Sequence, residues 1–250
     1  MLTTETGRGT TPAGAENEQQ AATWVRGMFG SIAPRYDLLN HLLSFNIDRY
    51  WRARTVNRVA SALAKPGARI LDLCCGTGDL TLALQARAGG IAYGSDFCHP
   101  MLVEARRKTE QRHARSALFE ADALKLPLAD GSFDLLTMAF GFRNLANYQQ
   151  GLRELLRVLK PGGTLALLEF STPPNAAMRS LYGFYSKAIL PRIGGWISGS
   201  KEAYSYLPES VRKFPGAPQL ADEMRGVGFA NVRFERMTAG VVALHLGERL

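Results

Sequence analysis

Ten residues, Ile70-Leu71-Asp72-Leu73-Cys74-Cys75-Gly76-Thr77-Gly78-Asp79, carry the densest chemical signal in the chain. An apolar run ending in Gly76-x-Gly78 and passing into a helical period lets a ligand approach the backbone closely. Free N–H groups at the helix start then favour an anion. Two details sharpen this otherwise common pattern. The third small residue of a dinucleotide fingerprint falls on Thr81, so that fingerprint is incomplete. Asp72 lies inside the strand, four residues ahead of Gly76, where a dinucleotide-binding strand is apolar. Two more carboxylates close the next apolar runs: Asp96, twenty residues past Gly76, and Asp122. S-adenosylmethionine suits this set. Asp72 and the loop carbonyls face its ammonium, the helix N-terminus its carboxylate, Asp96 its ribose hydroxyls and Asp122 its adenine amino group. The competing reading, acids that merely cap the following helices, applies to any one of them. Three at successive strand ends beside one glycine loop argue for a ligand.

These side chains need a scaffold, and the sequence supplies one. Short β-prone runs alternate with helical periods: RILDLC, IAYGSD, ALFEAD, FDLLTMAF and GTLALLEF are the runs, with DLTLALQAR, MLVEARRKTEQR and LRELLRVLK between them. That alternation predicts an α/β fold with a doubly wound, mostly parallel sheet. The expected layout is a disordered tail over residues 1–22, then one domain over 23–250. Within it, helices occupy 23–64, the cofactor-binding core 65–171, an inserted helical cap 172–216, and a last helix and strands 217–250.

Composition narrows the class. The chain has 250 residues, 46% of them hydrophobic and 21% charged, values ordinary for a folded domain. No apolar run reaches the roughly 18–20 residues that span a bilayer, and the first twenty residues hold no secretory h-region. Cys74, Cys75 and Cys98 form neither a disulfide framework nor a metal-ligand spacing, which predicts a cytoplasmic, reducing setting and no metal. The formal charge of +8 points to an anionic partner, nucleic acid or membrane.

Longer stretches resemble the ubiquinone/menaquinone biosynthesis C-methyltransferases. Tyr36-Asp37-Leu38-Leu39-Asn40-His41-Leu42-Leu43-Ser44 with Trp51 is similar to the family's first signature, and Arg157 to Gly163 with Leu168-Glu169-Phe170-Ser171 to its second. Phe140-Gly141-Phe142-Arg143-Asn144 and Thr238 to His245 also match. The resemblance implies a Rossmann-like class I methyltransferase that methylates a ring carbon of a polyprenylated quinol, as in demethylmenaquinol to menaquinol. It carries cofactor contacts onto Thr77, Asp96, Asp122 and Ala123. Ala139 stands where the family has a serine, so a hydroxyl contact is lost there. Asn46 replaces the usual glycine and Asp48 the usual histidine.

Carbon methylation needs an ionised phenol, whose charge reaches the ring carbons. A phenol of pKa about 10 is ~3 units from ionisation at pH 7, roughly 4 kcal/mol. Arg143 is the candidate cation, since guanidinium stays protonated. Asp48, at the departed histidine position, is the candidate base. His245 is better tuned for proton transfer but reads equally as a core histidine. Tyr204 and Tyr206 either stack on the quinol or line the cap. Leu181, Phe184, Tyr185, Ile189, Leu190, Ile193 and Trp196, among Arg179, Lys187, Arg192 and Lys201, suit a prenyl tail and transient contact with an anionic membrane at its inner face. The basic charge also allows an RNA methyltransferase, but dispersed cations and aromatics among aliphatics lack a nucleic-acid stripe. A nicotinamide oxidoreductase and a noncatalytic cofactor-binding protein are the remaining alternatives.

Overall fold

In a computed structural model, residues 9–189, 192 and 201–250 are described; the side chains of 187, 189 and 201–205 are not among them. Seven strands form one sheet: β1 (Arg69–Leu73), β2 (Ile91–Asp96), β3 (Ala117–Glu120), β4 (Phe133–Ala139), β5 (Leu159–Phe170), β6 (Ala230–Met237) and β7 (Val242–Glu248). Their order is β3-β2-β1-β4-β5-β7-β6, parallel throughout except for the antiparallel β7. The strand order reverses between β1 and β4, so β1, β2 and β4 deliver their C-terminal ends to one crevice. The doubly wound, mostly parallel sheet expected from the alternation is the one found.

Alternation of side chains across each strand builds two cores, one per sheet face. Leu71, Leu73, Leu136, Met138, Leu165 and Leu167 face one way and pack with Leu152 and Leu155 of α7 (Tyr148–Val158). Ile70, Leu135, Ala166 and Leu168 face the other way, packing with Leu80 and Leu84 of α5 (Asp79–Gln85) and with Trp51. Asp72 lies on this second face. It is buried, and it persists there because Thr137 of the neighbouring strand and Thr81 of α5 each donate a hydroxyl to it at 2.7 Å. Burial pushes its carboxyl up to about 6 despite both bonds.

The N-terminal helices are α1 (Glu18–Ile32), α2 (Tyr36–Leu43), α3 (Ile47–Arg58) and α4 (Ala60–Leu63). The expected disordered tail therefore needs correction. Asn17 caps α1 by accepting from Gln20 N–H at 2.9 Å, and buried Thr10 bonds the Tyr206 hydroxyl at 2.7 Å and the Leu145 carbonyl at 2.8 Å. Only residues 1–8 of that tail fall outside the described residues. Between α2 and α3, Phe45 and Asn46 have φ of 53° and 60°. Asparagine tolerates this left-handed region better than most side chains, which is why it can stand where the family has glycine.

After β5 come α8 (Ala176–Phe184), one π turn (Tyr185–Ile189), α9 (Lys201–Lys213) and α10 (Ala217–Val227). Of the proposed cap residues, Leu190, Ile193 and Trp196 lie outside the described residues, as do the side chains of Lys187, Ile189, Lys201 and Tyr204. Arg54 and Arg58 of α3 hold Glu235 of β6, and the Trp51 indole N–H donates to Thr238 Oγ1 at 2.8 Å. The two ends of the chain thus meet over the sheet.

His245 belongs to the core. Its Nε2–H donates to the Ala217 carbonyl at 2.9 Å, its ring lies 5.4 Å from that of Phe234, and burial drives its pKa down to about 4. It lines none of the cavities described below. A histidine depressed in the folded state binds its proton more readily once unfolded. Its stabilising contribution is present above about pH 6.5 and lost as pH falls toward 4. Urea unfolding at pH 7 and 4.5 is expected to show wild type losing about 2–3 kcal/mol more than His245→Gln. Equal losses would contradict the assignment.

Candidate functional site

The chain doubles back at the ends of β1 and β4, and both turns are strained. Cys74 and Phe140 have φ of 50° and 60°. Gly141 allows the two turns to touch, because a Cβ there would lie 2.3 Å from Cys74 Cβ. Three cavities open around this point. The first, about 680 Å³ including its open mouth, is lined by Cys74, Gly76, Asp96, Phe97, Met101 and Asp122 to Leu124, with Ala139 and Gly141. A second, about 360 Å³, lies over Asp72, Cys75, Gly76, Thr77 and Asp79. The third, about 1760 Å³ and open to solvent, is walled by the N-terminal helices and α8. Tyr36 and Phe140 border all three.

The first cavity fits a nucleoside. Asp96 ends β2 and is buried, with one oxygen accepting Gly76 N–H at 2.8 Å and the other Cys98 N–H at 2.9 Å. Each oxygen keeps a lone pair for a ribose hydroxyl. Burial raises its carboxyl to about 6 against the pull of those N–H bonds. Asp122 lies two residues beyond β3, where its Oδ1 accepts Leu124 N–H at 2.9 Å. Phe97, Met101 and Leu124 offer apolar surface for the faces of a base. Ala123 and Ala139 lie in the wall.

The remaining loop residues divide. Asp72, Gly76 and Thr77 line the second cavity, the one that fits an amino-acid end. The Thr77 hydroxyl, however, donates to Asp37 of α2, leaving its backbone as the free contact. Gly78, in the left-handed region at φ 83°, serves packing: a Cβ there would press on Ala105 Cβ of α6 (His99–Gln111) at 3.2 Å.

A polar clasp that no local sequence pattern announces closes over this loop. Lys108 of α6 turns inward and donates to Asp37 at 2.7 Å, to Thr77 at 3.2 Å and to Asp79. His41 continues the chain, with Nε2 3.8 Å from Asp79 and Nδ1 2.8 Å from Asp48. Arg52 also reaches Asp48 and borders both the second and third cavities. One signal was present: a histidine seven residues before the position where the family carries one.

Asp48 lines the large cavity with its carboxylate already engaged. It is buried and accepts from His41, from Ser44 Oγ at 2.7 Å and from Arg52. Burial alone would raise its pKa; the Ser44 and Arg52 bonds outweigh burial and hold it below the usual carboxylate range. It is therefore a weak proton acceptor on its own and a strong anchor for the imidazole.

Arg143 also lines the large cavity, though its charge is shared. The guanidinium bonds buried Glu169 at 2.9 Å and the Phe140 carbonyl, and lies 5.3 Å from the Phe170 ring centre. Burial opposes its charge, and Glu169 more than restores it. Its Nε is buried with no partner among the described residues. Tyr206 borders the same cavity, with its hydroxyl bonded to Thr10 and donated to Asn144 at 3.0 Å.

Comparison with known proteins agrees with this geometry. Among solved structures, the chain superposes on a [4+2]-cyclase, SpnF, with a TM-score of 0.67, 18% identity and coverage of 97% of this chain and 99% of that one. It also superposes on a methyltransferase of Thermotoga maritima described as a possible histamine N-methyltransferase, with a TM-score of 0.64, 19% identity, and coverage of 90% and 99%. These likenesses show the fold alone, and a cyclase among them underlines that fold does not decide reaction. Sequence relatives say more. The chain is 53% identical over 223 residues to the demethylmenaquinone methyltransferase of Thermus thermophilus, covering 89% of this chain and all of that one. It is 39% identical to the ubiquinone/menaquinone biosynthesis C-methyltransferase UbiE of Roseobacter denitrificans, with 93% of each covered. The profile of the ubiE/COQ5 methyltransferase family matches residues 15–249, and the chain belongs to that family.

Proposed function

We propose that this chain transfers the methyl group of S-adenosylmethionine to a ring carbon of a polyprenylated quinol, with demethylmenaquinol as substrate and a methoxy-polyprenyl-benzoquinol as the second candidate. The observation that carries the reading is the meeting of three cavities at Tyr36 and Phe140. Two of them suit the nucleoside and amino-acid ends of the cofactor. The third is walled by aromatics and aliphatics and has the size for a bicyclic ring and the start of a prenyl chain. The names of the relatives support the same substrate class. A cavity walled by aromatics and aliphatics does not favour RNA. Transient contact with an anionic membrane belongs to the same proposal.

When bound, S-adenosylmethionine supplies an electrophilic methyl group on a cationic sulfur. The protein's part is placement, ionisation and exclusion of water. Asp96, Asp122 and the Gly76 loop hold the cofactor, and Tyr36 and Phe140 set where its methyl group meets the ring. A ring hydroxyl beside Ser44 and Asp48 passes its proton to the Asp48–His41 pair, the carboxylate holding the imidazole in register. Arg52 and Arg143, which both line the cavity, supply positive charge toward the phenolate. Methyl transfer to the ring carbon would leave the thioether form of the cofactor, and the proton displaced from that carbon would pass to solvent as aromaticity returns.

Only the reduced quinol has the required hydroxyl. Anaerobic turnover with demethylmenaquinol and dithionite is expected to give a product one methylene heavier, substituted on carbon. Equal turnover of substrate kept as the quinone, or label from the cofactor appearing only in RNA, would overturn the proposal.

Arg143 has two jobs that a variant series separates. Arg143→Gln strands the buried Glu169 charge and is expected to cost about 3–5 kcal/mol of stability. The double variant Arg143→Gln/Glu169→Gln removes that charge and regains most of the stability, yet remains slower by on the order of a hundredfold in single turnover. Recovery of both rate and melting temperature would reduce Arg143 to a brace. In the same series His41→Asn is expected to slow single turnover by on the order of a hundredfold with cofactor affinity unchanged. An unchanged rate would take His41 out of the proton path.

A further inference from the structure

Nine large apolar side chains are exposed among the described residues, and seven of them gather on three helices and the turn that joins two of these. Leu38 and Leu42 lie one turn apart on α2, Phe45 follows in the turn, Ile47 and Tyr50 lie on α3, and Leu181 and Phe184 one turn apart on α8. The clustering is spatial as well as sequential. Phe45, Ile47, Leu181 and Phe184 all line the large cavity, and the Phe45 ring lies 6.1 Å from that of Tyr185 at the end of α8. They form the lip of its opening. Scattered exposed hydrophobics are ordinary, but a contiguous apolar rim around one cavity marks an interaction surface.

The turn that presents Phe45 is built for exposure. Phe45 and Asn46 are successive non-glycine residues in the left-handed region. Such backbone persists only where surrounding structure enforces it. Here the Asn46 N–H bonds the His41 carbonyl at 2.7 Å and the Ile47 N–H bonds the Ser44 carbonyl at 3.0 Å, locking the turn. The result is a phenylalanine 73% exposed to solvent.

Charge selects the partner. Over residues 36–58 the only acids are Asp37 and Asp48, both turned inward onto Lys108 and onto His41 and Arg52, while Arg49 is exposed between Ile47 and Tyr50. Over residues 172–192 there are no acids at all, and Arg179 and Arg192 are exposed. An apolar rim set among cations, with its acids withdrawn, complements an anionic lipid surface.

We propose that the α2–α3 turn and α8 dip into the headgroup layer of an anionic bilayer, with Phe45 and Phe184 as the inserted side chains. The mouth of the substrate cavity then opens into lipid, and a prenylated quinol enters without crossing water. This orientation rests on the quinol reading for its purpose, but the surface can be tested without any substrate.

The experiment is sedimentation of the full chain with vesicles of phosphatidylcholine and phosphatidylglycerol, against phosphatidylcholine alone. Phe45→Ser and Phe184→Ser are each expected to weaken partitioning roughly five- to tenfold and the pair more, with melting temperature unchanged. Val103→Ser, exposed on α6 away from the rim, is expected to bind like wild type. The pair Leu38→Ser and Tyr50→Ser, exposed on the same surface but outside the cavity lining, should keep the KM for a short-chain, water-soluble quinol while losing turnover of a long-chain quinol held in vesicles. Vesicle binding by the Phe45→Ser/Phe184→Ser double variant equal to wild type would overturn the proposal. So would a wild-type dimer in sedimentation velocity that these substitutions convert to monomer, because the rim would then be a contact between copies. Failure to methylate the short-chain quinol, with vesicle binding behaving as expected, would count against the quinol reading and leave the docking surface standing.

Discussion

The ammonium of Lys108 holds the site together. It reaches from α6, a helix of the sheet's own cofactor-binding half, to Asp37 of the N-terminal helices and to Thr77 and Asp79 of the glycine loop. Without that cation two carboxylates and a hydroxyl would crowd one another beside the cofactor cleft. With it, α2 is drawn down over the loop. His41, Asn40, Tyr36 and Ser44 then take their places at or near the cavities, because they share that helix or its end. The large cavity exists only because α2 and α3 form its wall, so one clasp places the cofactor and encloses the substrate.

Burying so many charges is not an efficient route to stability. Asp48 with His41 and Arg52, and Arg143 with Glu169, each sacrifice hydration that hydrophobic packing would not require. Their value lies in geometry. Glu169 accepts the backbone N–H groups of Arg143 at 3.2 Å and of Phe170 at 2.8 Å, fixing the turn after β4 against the end of β5. That turn carries Phe140, which borders every cavity of the site. The stability to support these features comes from the two apolar cores, where β1, β4 and β5 are buried on both faces.

Much of this was legible in the residues. The sheet followed from alternating apolar runs and helical periods, and Asp96 and Asp122 stood out because acids at strand ends are conspicuous. What escaped was set by contacts distant in sequence. Nothing local in α6 reveals that Lys108 turns inward to residues about thirty and seventy positions away. Asp48 looked like a free carboxylate because its three donors come from a helix, a turn and its own next turn. Arg143 was read as a lone cation since Glu169 lies on another strand. Residues 9–17 looked disordered by composition, yet Thr10 is pinned by Tyr206 and Leu145. Local periodicity gives elements; which polar side chains pair is decided by how the elements stack.

Cofactor and quinol are proposed to meet at Tyr36 and Phe140, and everything else in the mechanism depends on that meeting. The most direct test is a crystal structure of the chain with S-adenosylhomocysteine and a short-chain quinol. The sulfur is expected roughly 5 Å from the target ring carbon, the near-attack separation plus one bond, with the ring between Phe140 and Ser44 and a hydroxyl toward Asp48. A quinol ring held outside this cavity, or separated from the sulfur by the Tyr36 side chain, would contradict it.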